Sequence, residues 1–222
     1  MPLRLFRRFR PVAVRLSALF LAIMLVAPCG CGAAFYMMNS EKKKPVAAEC
    51  DKLAGSKVAV VVWAEPSTLD LDPGANFRTA RQIGLVLEQN ASKKELKGAS
   101  YVDVMKVIQL QEQLGNVGPT LSNAEIGKRL GADVVLRVDL YQYTTRAPEA
   151  QGLIKGAVSG NIVVQRVDEA TPIYRTDVSA SFPEGSTIGV LDYSDEEVLA
   201  EALRRFGEAV ARKFYAHEVA YE

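Results

Sequence analysis

The sequence predicts an α/β (α+β) sandwich: a mixed sheet of about five strands, ending in an antiparallel C-terminal meander, with helices packed on it. Three observations carry this. Lys57-Val-Ala-Val-Val-Val-Trp63 is an unbroken β-branched run, the pattern of a strand buried on both faces. Two longer stretches, Asp133–Tyr141 and Ile154–Val164, alternate apolar and polar residues, as a strand does when one face is covered. Between and after these, apolar residues recur at helical spacing behind capping signals.

The first element in the chain lies before the domain. Arg4, Arg7, Arg8, Arg10 and Arg15 precede the uncharged run Leu16–Ala27, and no acid appears before Glu41. A basic region, an apolar core and then small residues is the plan of a secretory signal. Pro28, Cys29, Gly30, Cys31 and Gly32 follow directly. This resembles the lipobox of bacterial lipoproteins, in which a small residue precedes a cysteine that is acylated and becomes the first residue after cleavage. Gly30-Cys31 fits the last two positions, whereas Pro28 and Cys29 stand where Leu and a small residue are usual. The resemblance implies lipidation of Cys31. Cys29 is the second choice, because Pro28 would sit at the scissile bond. Gly32, rather than Asp, follows Cys31, so the usual cue for inner-membrane retention is missing and the outer membrane is weakly favoured.

The competing expectation is an uncleaved anchor helix. The 23 residues from Leu16 to Met38 carry no formal charge, enough to cross about 30 Å of hydrocarbon at about 1.5 Å per residue. Either way residues 1–31 are a signal or membrane anchor that exports the remainder and holds it at a membrane. Residues 32–55 read as a polar tether containing Lys42-Lys43-Lys44, and 56–222 as one α/β domain.

Within the domain, Pro66 and Pro73-Gly74 mark a long loop over residues 64–74 after the first strand. Phe77, Ala80, Ile83, Gly84 and Leu87 then line one face of a helix over 76–91. Tyr101-Val-Asp-Val-Met105 reads as a short second strand and Val107–Leu114 as a short helix. Ser122-Asn-Ala-Glu125 is a capping box, and Gly131 is placed to end its helix in the left-handed conformation. Val134, Leu136, Val138 and Leu140 line one face of the next strand, with Arg137, Asp139 and Tyr141 on the other. Ile154–Val164 and Ile173–Phe182 complete the meander. Gly156 and Gly160 fall on one face of the first of these, where a helix approaches closely or a bulge forms. Ser194-Asp-Glu-Glu197 is a second capping box, and Leu199, Leu203, Phe206, Val210 and Phe214 form the apolar stripe of a long final helix.

A strand of the Val-Ala-Val-Val type, a helix, a short strand, a helix ending in Gly131-Ala132-Asp133 and then long amphipathic strands is similar to one group of bacterial envelope domains. These are the lipoproteins that assist curli secretion, the lipoproteins that activate penicillin-binding proteins, and the amino-terminal domain of TolB. The resemblance covers about residues 55–182. It implies a non-enzymatic domain in the periplasm that binds another envelope protein or self-associates.

Composition and motifs agree with a binding role. Without its five N-terminal arginines the chain has 22 of its 27 basic residues against 26 acidic ones, a net charge of −4. That gives no basic face for nucleic acid. No cofactor is expected, and three Cys with one distant His, His217, make no zinc set. His217 lies where a terminal helix would fray, and Cys50 reads as a small packed residue. Asp70 and Asp72, in the loop at the carboxyl end of the first strand, are the tentative ligand residues, the place for a small-ligand or hydrolytic site if there is one. Trp63, Tyr141 and Tyr143, taken as aromatics at the end and outer face of strands, are the tentative interface.

Overall fold

The run Lys57–Ala64 forms the strand around which the other elements are laid. A computed structural model of the protein describes residues 43–146, 154–184 and 193–220; Cys29, Cys31 and Lys42 lie outside them. In chain order the elements are β1 (Lys43–Val46), β2 (Lys57–Ala64), α1 (Pro66–Leu71), α2 (Ala75–Gln89), β3 (Ser100–Tyr101), α3 (Val104–Leu114), α4 (Asn123–Leu130), β4 (Val134–Thr144), β5 (Gly156–Arg166), β6 (Tyr174–Phe182), α5 (Asp195–Arg212) and β7 (His217–Ala220). The described residues divide between two units, Pro45–His217 in one and Lys43, Lys44 and Glu218–Ala220 in the other.

The main sheet has the order β3-β2-β4-β5-β6. β2 runs parallel to β3 and β4, whereas β4, β5 and β6 form the expected antiparallel meander. The alternation of β2 and β4 divides their side chains between two cores. Val58, Val60 and Val62 join Val134, Leu136, Val138 and Leu140 under α2 and α5, with Ile83, Leu87, Phe206 and Phe214. Ala59, Val61 and Val135 turn the other way and meet Val107 of α3 and Ile126 of α4. Helices thus cover both faces of β2, which is why its run has no polar alternation.

Local signals placed most elements. Both capping boxes form as the sequence predicts, with Ser122 and Ser194 accepting from the amides of Glu125 and Glu197. Gly131 ends α4 with φ 61°. A Cβ on Gly156 would lie 2.7 Å from the Val198 carbonyl oxygen and 2.9 Å from Ala202 Cβ, so this glycine admits α5 to the sheet. Gly160 pairs with Leu140 beside a bulge between Leu140 and Gln142.

Four expectations need correction. The second strand is two residues long, because Asp103 accepts from the Met105 amide and starts α3 at Val104. The loop over 64–74 contains α1, with Pro66 in its first turn, where a missing amide costs nothing. His217 belongs to β7, paired with β1 in a separate two-stranded sheet, and its Nδ1 lies 3.2 Å from the Tyr215 carbonyl. The stretch expected as a tether carries β1 and then enters the core. Leu53 is fully buried, Cys50 is buried as a free thiol, and the Glu49 and Cys50 amides donate to Lys213 O at 2.9 and 3.0 Å. Glu49 also accepts from Lys213 Nζ at 2.7 Å and Tyr174 Oη at 2.6 Å, and these bonds, Lys213's foremost, hold its carboxyl below the usual range.

Candidate functional site

At the carboxyl end of β4, beside Tyr143 and Thr145, lies a groove of about 640 Å³, walled by the end of α1 and by α2 on one side and by the first turns of α5 on the other. Sequence fixes the wall positions locally. Pro66 starts α1, Gly74 precedes α2, and the Ser194 box starts α5. Long-range bonds then hold the walls in place. Asn76 Oδ1 accepts from the Ala64 amide at 2.9 Å, tying the start of α2 to the end of β2. Asp195 accepts from Thr145 Oγ1 at 3.0 Å and Arg146 Nη2 at 3.2 Å, tying α5 to the end of β4.

Asp72 is the polar centre of the groove. Its carboxylate pairs with Arg78, accepts from Tyr143 Oη at 2.8 Å and accepts from the Gly74 amide at 3.0 Å. Three of the about four acceptor positions of the carboxylate are taken by the protein's own donors, so it ties α2 to β4 as a structural node. Asp70 is exposed on α1 and does not line the groove. The two carboxylates singled out in the sequence are therefore not brought together. Tyr143 was expected on the outer face of its strand, but the bulge after Leu140 reverses the phase, so Tyr143 pairs with Val158 and packs on the α2/α5 core. A one-residue slip moves every later side chain to the opposite face.

Trp63 and Tyr141 do not join Tyr143 in one aromatic patch. Trp63 packs on the α3/α4 core, where Gly118 lies so close to the indole that a Cβ there would overlap it. Tyr141 is exposed. Nearby, Gln111 Nε2 donates to Val62 O at 2.7 Å. Burial raises the Cys50 thiol above its ordinary value, which leaves it a packed thiol and not a nucleophile. Among the described residues no three His, Cys, Asp or Glu side chains group as a metal site, and no helix is long and apolar enough to cross a membrane.

Exposed and half-exposed apolar side chains dominate the groove's lining. Leu71 is 88% exposed and Leu85 40%, and Phe77 and Leu199 are only partly covered. Phe77 and Leu199 were legible as parts of apolar helix stripes, which turn out wider than the core they cover. Leu71 follows Asp70 at the end of a six-residue helix, where no periodicity declares which way it points.

Protein-family models give no match to the chain, and neither do curated proteins. Solved structures do resemble it. A dodecameric PelC variant from Paraburkholderia phytofirmans matches at a TM-score of 0.45 and 11% identity, over 78% of this chain and 98% of that one. Lipoprotein GNA1162 from Neisseria meningitidis matches at 0.40 and 18%, over 61% and 86%. The LpoB C-terminal domain from Salmonella enterica matches at 0.32 and 16%, over 57% and 82%. The likeness is one of backbone course.

Proposed function

We propose that this chain is a membrane-anchored module of the cell envelope that acts by binding another envelope component and not by catalysis. The observation that carries it is the exposed apolar lining of the groove, Leu71 and Leu85 above all, around a carboxylate engaged by the protein's own donors. Covering Leu71 is worth about 1.5–3 kcal/mol, a driving force for association. The N-terminal arginines, apolar run and Cys31 supply the export and the anchor.

The test is complementation of a strain lacking the protein. Leu71→Asp combined with Leu85→Asp is expected to behave as the deletion while the protein accumulates at native level. Asp70→Asn and Asp72→Asn, made together, are expected to complement fully, with some loss of thermal stability from the Asp72 node. The reverse result, a silent leucine pair and a null carboxylate pair at normal abundance, would instead establish a small-ligand or hydrolytic site in residues 64–74.

A further inference from the structure

We infer that a second copy of this chain covers the groove, in a two-fold arrangement that sets Leu71 of each copy into the hollow of the other. The inference rests on the groove being the binding face proposed above, and it names the partner. The patch carries both a projection and a recess. Leu71 stands out at 88% exposure at the end of α1, beside a recess lined by Phe77, Leu85 and Leu199. A two-fold contact uses one patch twice, so a surface holding both features can satisfy itself.

The charges fit the same arrangement. Arg78 is taken by Asp72, and Asp195 by Arg146 and Thr145. Two charges on the walls remain. Arg81 on α2 makes only a cation–π contact, with Phe77 at 5.9 Å, and Glu196 on α5 has no ion pair among the described residues. They lie on opposite walls with opposite signs. Rotation about a two-fold axis that runs along the groove carries Arg81 of one copy toward Glu196 of the other, twice per dimer. A groove flanked by two like charges would repel its own copy.

The experiment is sedimentation equilibrium of the full-length chain purified from membranes in density-matched detergent, over a hundredfold range of concentration. The native chain is expected to be a dimer. Arg81→Glu alone and Glu196→Arg alone place like charges opposite each other, and each is expected to weaken dimerisation by about tenfold or more. The two reversals combined in one chain restore opposite signs and are expected to return the dimer. Both positions are exposed and outside the core, so the variants keep their fold, and circular dichroism checks this. A monomeric native chain, a dimer that survives Leu71→Asp, or a combined reversal that stays as weak as either single one would each overturn the inference. The complementation test fails separately: a monomer whose Leu71/Leu85 variant still loses function keeps the binding role and removes only the second copy, whereas a leucine pair that complements removes the reading beneath both.

Discussion

Glu201 on α5 shows how one residue sets a pH response. It accepts from Arg204 Nη2 at 2.7 Å and from Arg205 Nε at 2.9 Å. Those guanidinium bonds, Arg204's first, take its carboxyl from about 4.5 down to about 2. A carboxyl with a depressed folded value adds stability above its unfolded value and loses it as pH falls toward the folded one. The contribution is therefore complete at pH 7, declines below about pH 4.5 and is gone near pH 2. Glu201→Gln is expected to cost about 1 kcal/mol at pH 7, a charged hydrogen bond reduced by its partial exposure. The melting-temperature gap between native and variant should close on acidification between those values; a gap constant down to pH 2 would refute the assignment. This pair was readable, since positions 201, 204 and 205 share a helix face. Asp72 was not, because its partners at 78 and 143 meet only after α2 and β4 are placed. Tyr143 was read on the wrong face because a bulge leaves no mark in an alternation.

At the scale of elements, what was legible was local. The capping boxes, the terminal Gly131 and the apolar stripes depend on residues within about four positions of one another; the boxes and the glycine formed as expected, and the stripes did so except that Phe214 lies beyond the end of α5 and Phe77 and Leu199 are only partly covered. Failures came where short-range signals competed. Val102-Asp-Val-Met105 has the β-branched content of a strand, but Asp103 as an N-cap prevails once β3 has paired only two residues with β2. The β1–β7 pairing joins segments more than 170 residues apart, and nothing in either one announces the other. The Ser194 box gives the sharpest check. Ser194 Oγ accepts from the Glu197 amide at 3.2 Å, and the Ser194 amide donates to Glu197 at 2.8 Å. Ser194→Ala is expected to lower the unfolding free energy by about 1 kcal/mol, measured as a shifted urea midpoint with an unchanged slope. α5 lays Val198, Ala202 and Phe206 on the sheet, so fraying of its first turn is transmitted to the groove wall through Asp195. A midpoint unchanged by the substitution would mean that packing alone fixes the start of α5.

For the whole molecule the decisive question is what residues 1–38 do, which the proposed function takes to be the tether to a membrane. Two tethers fit residues 1–38, and they differ in covalent chemistry. An acylated Cys31 would be held by several fatty chains, each buried CH₂ worth about 0.8 kcal/mol, and stable anchoring needs more than one chain. A retained segment from Leu16 to Met38 would instead satisfy its backbone as a helix, with Arg4 to Arg15 keeping that end on the cytoplasmic side. The small residues around Cys31 favour the first. The lipobox pattern places a small residue before its cysteine, as Gly30 stands before Cys31, and a spanning helix requires none there. The expected outcome is that the protein purified from its membrane fraction begins at Cys31 and is heavier than that polypeptide by a diacylglyceryl and an acyl group. Cys31→Ser should accumulate as the uncleaved chain without added mass, and Cys29→Ser should be processed normally. Intact and peptide mass spectrometry of the three proteins reads this directly. A native chain that retains Arg4 through Cys31 unmodified would make the segment a spanning anchor. The groove would still face the same compartment, since both tethers export everything after residue 38, but the domain would then stand at the inner face of the envelope and its partners would have to be sought there.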